Sequence, residues 1–437
     1  RAAGEMPQDL RRGFEEMYQL DRQRVKDYDQ GRLRNKNDVQ GATYAVNALL
    51  ASGRVLYGDP LTQWVNRIAD TLLVNDPELR KELRFYVVKS PEVNAYATGQ
   101  GIIFVNLGLI AQLEDEAQLA YILSHEIVHY TQKHSLQELT RNKRAEARLG
   151  GSDEVASLMR KHNRSKEMEN EADSLGIMQF YLPSGYSKTV CEGVFDVLQY
   201  AYLPFDEVPF DTTIFNTEHF RLPSELWLKE TNPITARDDY DDSCSTHPNI
   251  LKRRQLVQSL FDQYEGSPRS ERFLCASAGE FRQLRDMARY EVMRLHIVDF
   301  QYARALYEIY LLELEHPDDS AYLRQCRAQT LYSMARYRNH SKAKNNCIPD
   351  PEEIEGEQQR VYHMLRNISK EHLTVIALRE AYRLGNSAEA EELMHDLKDV
   401  CGLKASDFQA TFDTAAPAPV QDTAASTYST NRKQKAA

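Results

Sequence analysis

The stretch His125-Glu126-Ile127-Val128-His129 carries the residue types and spacing in this 437-residue chain that most directly name a chemistry. The run before it, Asp115 to Ser124, is rich in helix formers and free of Gly and Pro. On a helix, positions four apart share a face, so His125 and His129 can both aim an imidazole at one cation. Glu126 stands beside the first of them, where a carboxylate can take a proton from water held at that cation. This is the logic of a zinc-dependent peptidase.

A catalytic zinc needs a third protein ligand and an open position. His134 falls one residue short of the spacing at which some zinc helices place a third His, and Thr131-Gln132-Lys133 supplies no Gly. The ligand must come from elsewhere, and Glu167-Met168-Glu169-Asn170-Glu171-Ala172-Asp173 offers it on a second expected helix that continues through Leu175, Ile177, Met178 and Phe180. Either Glu169 or Glu171 would complete a His, His, Glu set. Asp173, one turn past Glu169, is placed to accept the outer N–H of a ligand histidine.

Three further blocks surround these residues: Asn94 to Ala97 leading into Gly101-Ile102-Ile103-Phe104-Val105-Asn106; Glu169-x-x-Ala172-Asp173-x-x-Gly176; and Thr246-His247-Pro248-Asn249 followed by Arg253-Arg254. With the zinc helix they resemble, in order, the CAAX prenyl protease/HtpX-like family of gluzincin metallopeptidases, over about residues 40 to 262. The resemblance implies Zn2+ held by His125, His129 and Glu169, with Glu126 as general base and then general acid. It implies that the strand Ile102, Ile103, Phe104, Val105 lies at a sheet edge and pairs with an extended peptide; from the residues alone an ordinary core strand is the equal alternative. His247 has two roles open to it. It either hydrogen-bonds the transition state, as a catalytic residue, or binds zinc and autoinhibits the resting enzyme. The acidic flank Arg237 to Cys244 would carry it as a gate.

The expected fold class is α+β: a mainly helical zincin-type metallopeptidase core with a small β-sheet, followed by an all-α helical-repeat domain. Residues 1–40 read as a charged N-terminal helical segment with a solvated face, 41–265 as the peptidase domain, and 183–242 within it as a Pro- and aromatic-rich loop insertion or lid. From 266 to 412 the pattern is helical, and Phe300 to Pro317, Ala328 to Tyr337 and Ala381 to Ala390 resemble degenerate tetratricopeptide units, with a plain bundle as the alternative. The tail 413–437 is Ala, Pro, Thr and Ser rich and reads as disordered.

A net charge of −11 excludes nucleic acid as the expected partner. No apolar run approaches the ~20 residues that span a bilayer, which departs from the membrane-embedded branches of the family and leaves peripheral membrane association open. Six cysteines contain no CxxC pair, so a disulfide framework or a second zinc site is not expected. The chain starts at Arg1, read as removal of a signal segment, which with the resemblance places the protein in a periplasm or another extracytoplasmic space. The expected function is a soluble zinc endopeptidase that cleaves unfolded or misassembled proteins in envelope quality control, with a helical arm that recruits protein partners. The alternative is a chaperone or adaptor that binds clients through its repeats and keeps a latent site. The sequence fixes no oligomeric state and no cleavage preference.

Overall fold

A computed structural model of the chain describes residues 4–11, 13–29, 36–135, 166–218, 220–235, 250–264, 271–341 and 348–402. His247, its acidic flank and the 413–437 tail lie outside the described residues. The chain divides into two units, residues 1–202 with 236–292 and residues 203–235 with 293–437.

In the first unit, helices α1 (Phe14–Asp29) and α2 (Lys36–Ala51) pack on each other and open the fold. Helix α3 (Pro60–Leu72) starts where Asp59 accepts the Thr62 N–H at 3.0 Å and Pro60 occupies the first position, which needs no donor. Its residues Trp64, Val65, Ile68, Ala69 and Leu72 recur every three or four positions and are buried. A short helix α4 (Pro77–Glu82) leads into three strands, β1 (Arg84–Val88), β2 (Ala95–Ala97) and β3 (Ile102–Asn106).

The sheet order is β1-β3-β2, with β1 parallel and β2 antiparallel to β3. The strand Ile102–Val105, expected at an edge, is therefore the central one, and every residue of it is buried. Among the described residues, the edge position beside the motif helix belongs to β2. The β2–β3 hairpin turns at Gly101, where φ is +80° and an added Cβ would sit 2.8 Å from the Glu82 carbonyl oxygen. Only Gly satisfies both conditions.

Alternation along the strands sorts the two faces. Tyr86, Val88, Ile102 and Phe104 join Leu10, Leu50 and Val55 in one core cluster. The N-terminal segment thus covers one face of the sheet, and Met17 and Tyr18 are buried rather than solvated. The charged character of residues 1–40 concealed this role. Against the sheet lie α3, which packs on β1, and α6 (Glu116–Thr131), which packs on β2 and follows a short helix α5 (Leu107–Gln112). Helices α7 (Lys166–Gly176) and α8 (Cys191–Gln199) pack on α6, α9 (Ile250–Gln263) packs on α7 and α8, and α10 (Ala278–Val298) follows.

The second unit holds α11 (Tyr302–Glu315), α12 (Ser320–His340), α13 (Gln358–Asn367), α14 (Lys370–Arg383) and α15 (Ser387–Asp399). Consecutive helices pair, α11 with α12 and α14 with α15, but their lengths are 14 and 21 residues in one pair and 14 and 13 in the other.

Part of the expected lid belongs to this unit. Residues 203–235 lie over its helices: Tyr307 and Tyr310 donate to the carbonyls of Val208 and Pro209 at 2.8 and 2.9 Å, and Asn232 donates to the Glu352 and Ile354 carbonyls at 3.0 Å each. Arg379, buried, donates to the Phe215 carbonyl at 2.8 Å. A segment without regular structure must satisfy its backbone somewhere, and here Tyr307, Tyr310 and Arg379 from the helices do part of it. The boundary therefore departs from the one expected at 265/266. Among the described residues Cys275, Cys326 and Cys401 are free thiols.

Candidate metal centre

Helix α6 is anchored at its start. Asp115 caps it, accepting the Gln118 N–H at 3.0 Å. Glu116, fully buried, accepts from Trp64 Nε1, the Tyr186 hydroxyl and the backbone N–H groups of Leu274 and Cys275 at 2.6–2.8 Å. Every residue from Glu116 to His129 is buried. Helix α7 buries Met168, Glu169, Ala172, Asp173 and Gly176, a single stripe at helical spacing. At Gly176 the two helices meet: an added Cβ would stand 3.0 Å from the Ser124 carbonyl oxygen and 3.2 Å from the His125 nitrogen. That close approach brings the Glu169 and Asp173 side chains to the two histidines.

His125 and His129 face each other through their Nε2 atoms, 2.9 Å apart. Glu169 closes the triangle, with Oε2 3.4 Å from His125 Nε2 and Oε1 3.3 Å from His129 Nε2. A zinc ion bound tetrahedrally at about 2.0–2.2 Å from each ligand separates the donors by about 3.3–3.5 Å. The two Glu169 separations fit that set, the 2.9 Å between the imidazole nitrogens is shorter than a bound ion would leave them, and two imidazoles with one carboxylate are a usual catalytic zinc donor set. Glu126 also lies in the cluster, its carboxylate within 4.8 Å of donor atoms of His125 and His129. Glu126 Oε2, however, accepts the Ala97 N–H of β2 at 2.8 Å, whereas Glu169 reaches both Nε2 atoms. Glu169 therefore has the geometry a third ligand needs, and Glu126 that of a carboxylate held beside the histidines.

Asp173 gathers four contacts behind the histidines. Oδ1 accepts from His125 Nδ1 at 2.8 Å, from the Tyr121 hydroxyl at 2.6 Å and from Arg253 Nη2 at 2.8 Å, while Oδ2 accepts from Arg253 Nε at 2.7 Å. Burial by itself would raise its pKa, but the Arg253 guanidinium and His125 hold the carboxyl well below the usual range. Arg253 also places Nη1 2.9 Å from Glu169 Oε2, and its own pKa is raised further by the two carboxylates. Burial likewise works against charge on His125, yet Glu169, helped by Asp173, outweighs it and raises the pKa to about 9. In the metal-free protein His125 therefore carries a proton that a metal must displace.

Arg253 and Tyr121 were missed as functional residues. Tyr121 sits four residues before His125 on the same helix face, a spacing that could have flagged it. Arg253 ends the Thr-His-Pro block, but nothing in its local sequence says that a cation will be buried. Ile102, Ile103, Phe104 and Val105 are not at the site; β2 and the preceding Asn94 are. Asn94, Ala95, Leu109, Ile122 and Leu198 line a cleft together with Tyr121, His125, Glu126 and Arg253.

A helix presenting two histidines and a glutamate, with a glutamate from a second helix beside them, is the arrangement that a gluzincin metallopeptidase centre requires. The comparison with known proteins agrees: residues 60–260 match the model of peptidase family M48, and that segment takes in His125, Glu126, His129, Glu169, Asp173 and Arg253 together. The chain is 31% identical over 101 residues to the beta-barrel assembly-enhancing protease of Yersinia pestis, covering 23% of this chain and 21% of that one. It is 29% identical over 97 residues to the protein of the same name from Escherichia coli (strain K12), covering 22% and 20%. Over 140 residues it is 26% identical to the mitochondrial metalloendopeptidase OMA1 of Schizosaccharomyces pombe, covering 28% and 42%. The likeness thus spans about a fifth of the length of the first two relatives.

Proposed function

We propose that the protein is a zinc-dependent endopeptidase acting on unfolded or misassembled proteins. The observation that carries this reading is the convergence of His125 Nε2, His129 Nε2 and Glu169 on one point, with the Glu126 carboxylate held at that point by the Ala97 N–H. Bound there, zinc supplies Lewis-acid polarisation of the attacking water and of the scissile carbonyl. Glu126 accepts the proton of that water and returns it to the leaving amine nitrogen, so one carboxylate acts as base and then acid. The Ala97 N–H fixes the orientation of Glu126, and the buried Asp173–Arg253 pair holds the ligand set from behind.

The peptide-pairing role expected of Ile102–Val105 is reassigned to β2, which lies at the sheet edge beside Glu126 among the described residues. An extended peptide aligned along β2 would cross the metal position. His247 retains the role of transition-state donor or inhibitory ligand, as the family resemblance implies. Misassembled envelope proteins as the substrate class, and an extracytoplasmic location, are what the family resemblance implies; the bacterial relatives are named as proteases that enhance beta-barrel assembly. Among the described residues no helix is long and apolar enough to cross a membrane. The paired helices of the second unit offer faces for protein partners.

The test is zinc content and cleavage of an unfolded protein such as denatured casein by the wild type and Glu126→Gln. The variant should keep its zinc and lose about 10²–10⁴-fold in kcat/KM. Undiminished cleavage by Glu126→Gln would end the reading.

A further inference from the structure

His134 belongs neither to the ligand set nor to the proton-transfer step, yet its side chain is fully buried. Helix α6 ends at Thr131, and Lys133 then adopts φ +57°, a left-handed conformation that reverses the chain. The reversal brings His134 back along the last helical turn. Its Nδ1 lies 2.8 Å from Nδ1 of His129, with the rings 4.8 Å apart and tilted by 69°. On its other side Nε2 lies 3.3 Å from Oε2 of Glu171, whose side chain is half exposed on α7.

These contacts fix the tautomers of two imidazoles in turn. The Glu171 carboxylate only accepts, so His134 carries its proton on Nε2 and donates it there. Nδ1 of His134 then offers a lone pair, and the 2.8 Å contact requires His129 to be the donor through Nδ1–H. A neutral His129 protonated on Nδ1 presents the Nε2 lone pair to the metal position. We propose that His134, seconded by Glu171, is a positioning residue that sets the tautomer and ring orientation of His129 for metal binding. It does for His129 what Asp173 does for His125, with an imidazole in place of a carboxylate. Glu171, one of two candidates for the third ligand from sequence, acts instead at the far end of this relay.

This inference rests on the zinc reading of the site, and its test separates the two. The probe is Zn2+ alone, measured by competition with a chromogenic chelator on the full chain at fixed pH, with thermal unfolding of each metal-free variant as a check on folding. His134→Phe fills the buried space and offers no acceptor; it should weaken zinc binding by about 10–100-fold. His134→Asn places an amide oxygen where Nδ1 was and should bind zinc within about threefold of the wild type. If His134→Phe does not fold, His134→Asn against Glu171→Ala carries the test, the latter expected to weaken binding severalfold through an exposed side chain the fold does not need. Wild-type affinity in His134→Phe, or a loss in His134→Asn as large as in His134→Phe, would overturn the positioning role. A wild type that binds no zinc would instead overturn the function reading itself.

Discussion

Replacing Arg253 by Met should destabilise the metal-free peptidase unit far more than the zinc-loaded one. Arg253 is 1% exposed and makes three short contacts, at 2.7 and 2.8 Å to Asp173 and 2.9 Å to Glu169. Methionine keeps much of the apolar stem, so the loss is mainly of countercharge for two buried carboxylates. Breaking a buried pair in this way costs about 3–5 kcal/mol, because the remaining charge is stranded. For a unit of roughly 260 residues, in which each kcal/mol shifts the midpoint by about 2 °C, that lowers the unfolding midpoint by roughly 6–10 °C. Zinc changes the balance: the dication neutralises Glu169, and Asp173 keeps the Tyr121 and His125 donors. The cost should then fall to roughly half, a difference of about 2 kcal/mol. Linkage requires the same difference to appear as ~30-fold tighter zinc binding by the variant. The chain has two tryptophans, and Trp64 is buried in the peptidase unit while Trp227 lies in the other. In a Trp227→Phe background, Trp64 fluorescence follows the peptidase unit alone during urea unfolding with and without zinc. A cost below about 1 kcal/mol, or one unaffected by zinc, would refute the assignment of Arg253 as countercharge.

Other outcomes follow from the same geometry. Because the folded, metal-free His125 has a pKa of about 9 against 6.5 in the unfolded chain, its protonation stabilises the metal-free protein fully below pH 6.5, and this is lost as pH rises to about 9; unfolding midpoints of chelator-treated protein across that window check it. Zinc must displace the same proton, so log Kd should improve by about one per pH unit between 7 and 9, read by chelator competition. Asp115, chiefly desolvated, has its pKa raised to about 6, so its charge costs stability progressively from pH 4 to above 6; Asp115→Asn keeps the cap and should narrow that loss in a pH series of unfolding curves. Lys133→Gly should stabilise by up to about 1 kcal/mol without disturbing zinc affinity, since Gly accepts the left-handed turn. Gly176→Ala should cost about 1–3 kcal/mol and weaken zinc, because its Cβ meets the backbone of α6 at Ser124; unchanged zinc affinity would contradict the close-approach argument.

The spacing of the proposed ligand set was legible in the sequence because local periodicity places it. His125 and His129 share a helix face by spacing alone, and Glu169 and Asp173 are one turn apart on a second helix. The choice between Glu169 and Glu171 needed the family resemblance, and the geometry gives both residues distinct places. What lay hidden depends on contacts between distant parts of the chain. Arg253 reaches Asp173 across 80 positions, and no local pattern announces a buried cation. The strand Ile102–Val105 was readable as a strand, but which strand is central depends on pairing, and its uniformly apolar run fits a strand buried on both faces. Residues 203–235 looked like a lid because prolines and aromatics mark loops; that they belong with α11 and α14 depends on hydroxyl and guanidinium groups spent on loop carbonyls. Charge in residues 1–40 suggested solvent, yet a few apolar positions among many charges suffice to cover a sheet face.

The most direct test of the account is zinc stoichiometry, measured alongside cleavage of denatured casein, in the wild type, Glu126→Gln and Glu169→Ala. The account predicts about one zinc per wild-type chain, zinc kept and cleavage lost in Glu126→Gln, and both lost in Glu169→Ala. Full zinc occupancy and cleavage in Glu169→Ala, or cleavage at the wild-type rate by Glu126→Gln, would contradict it.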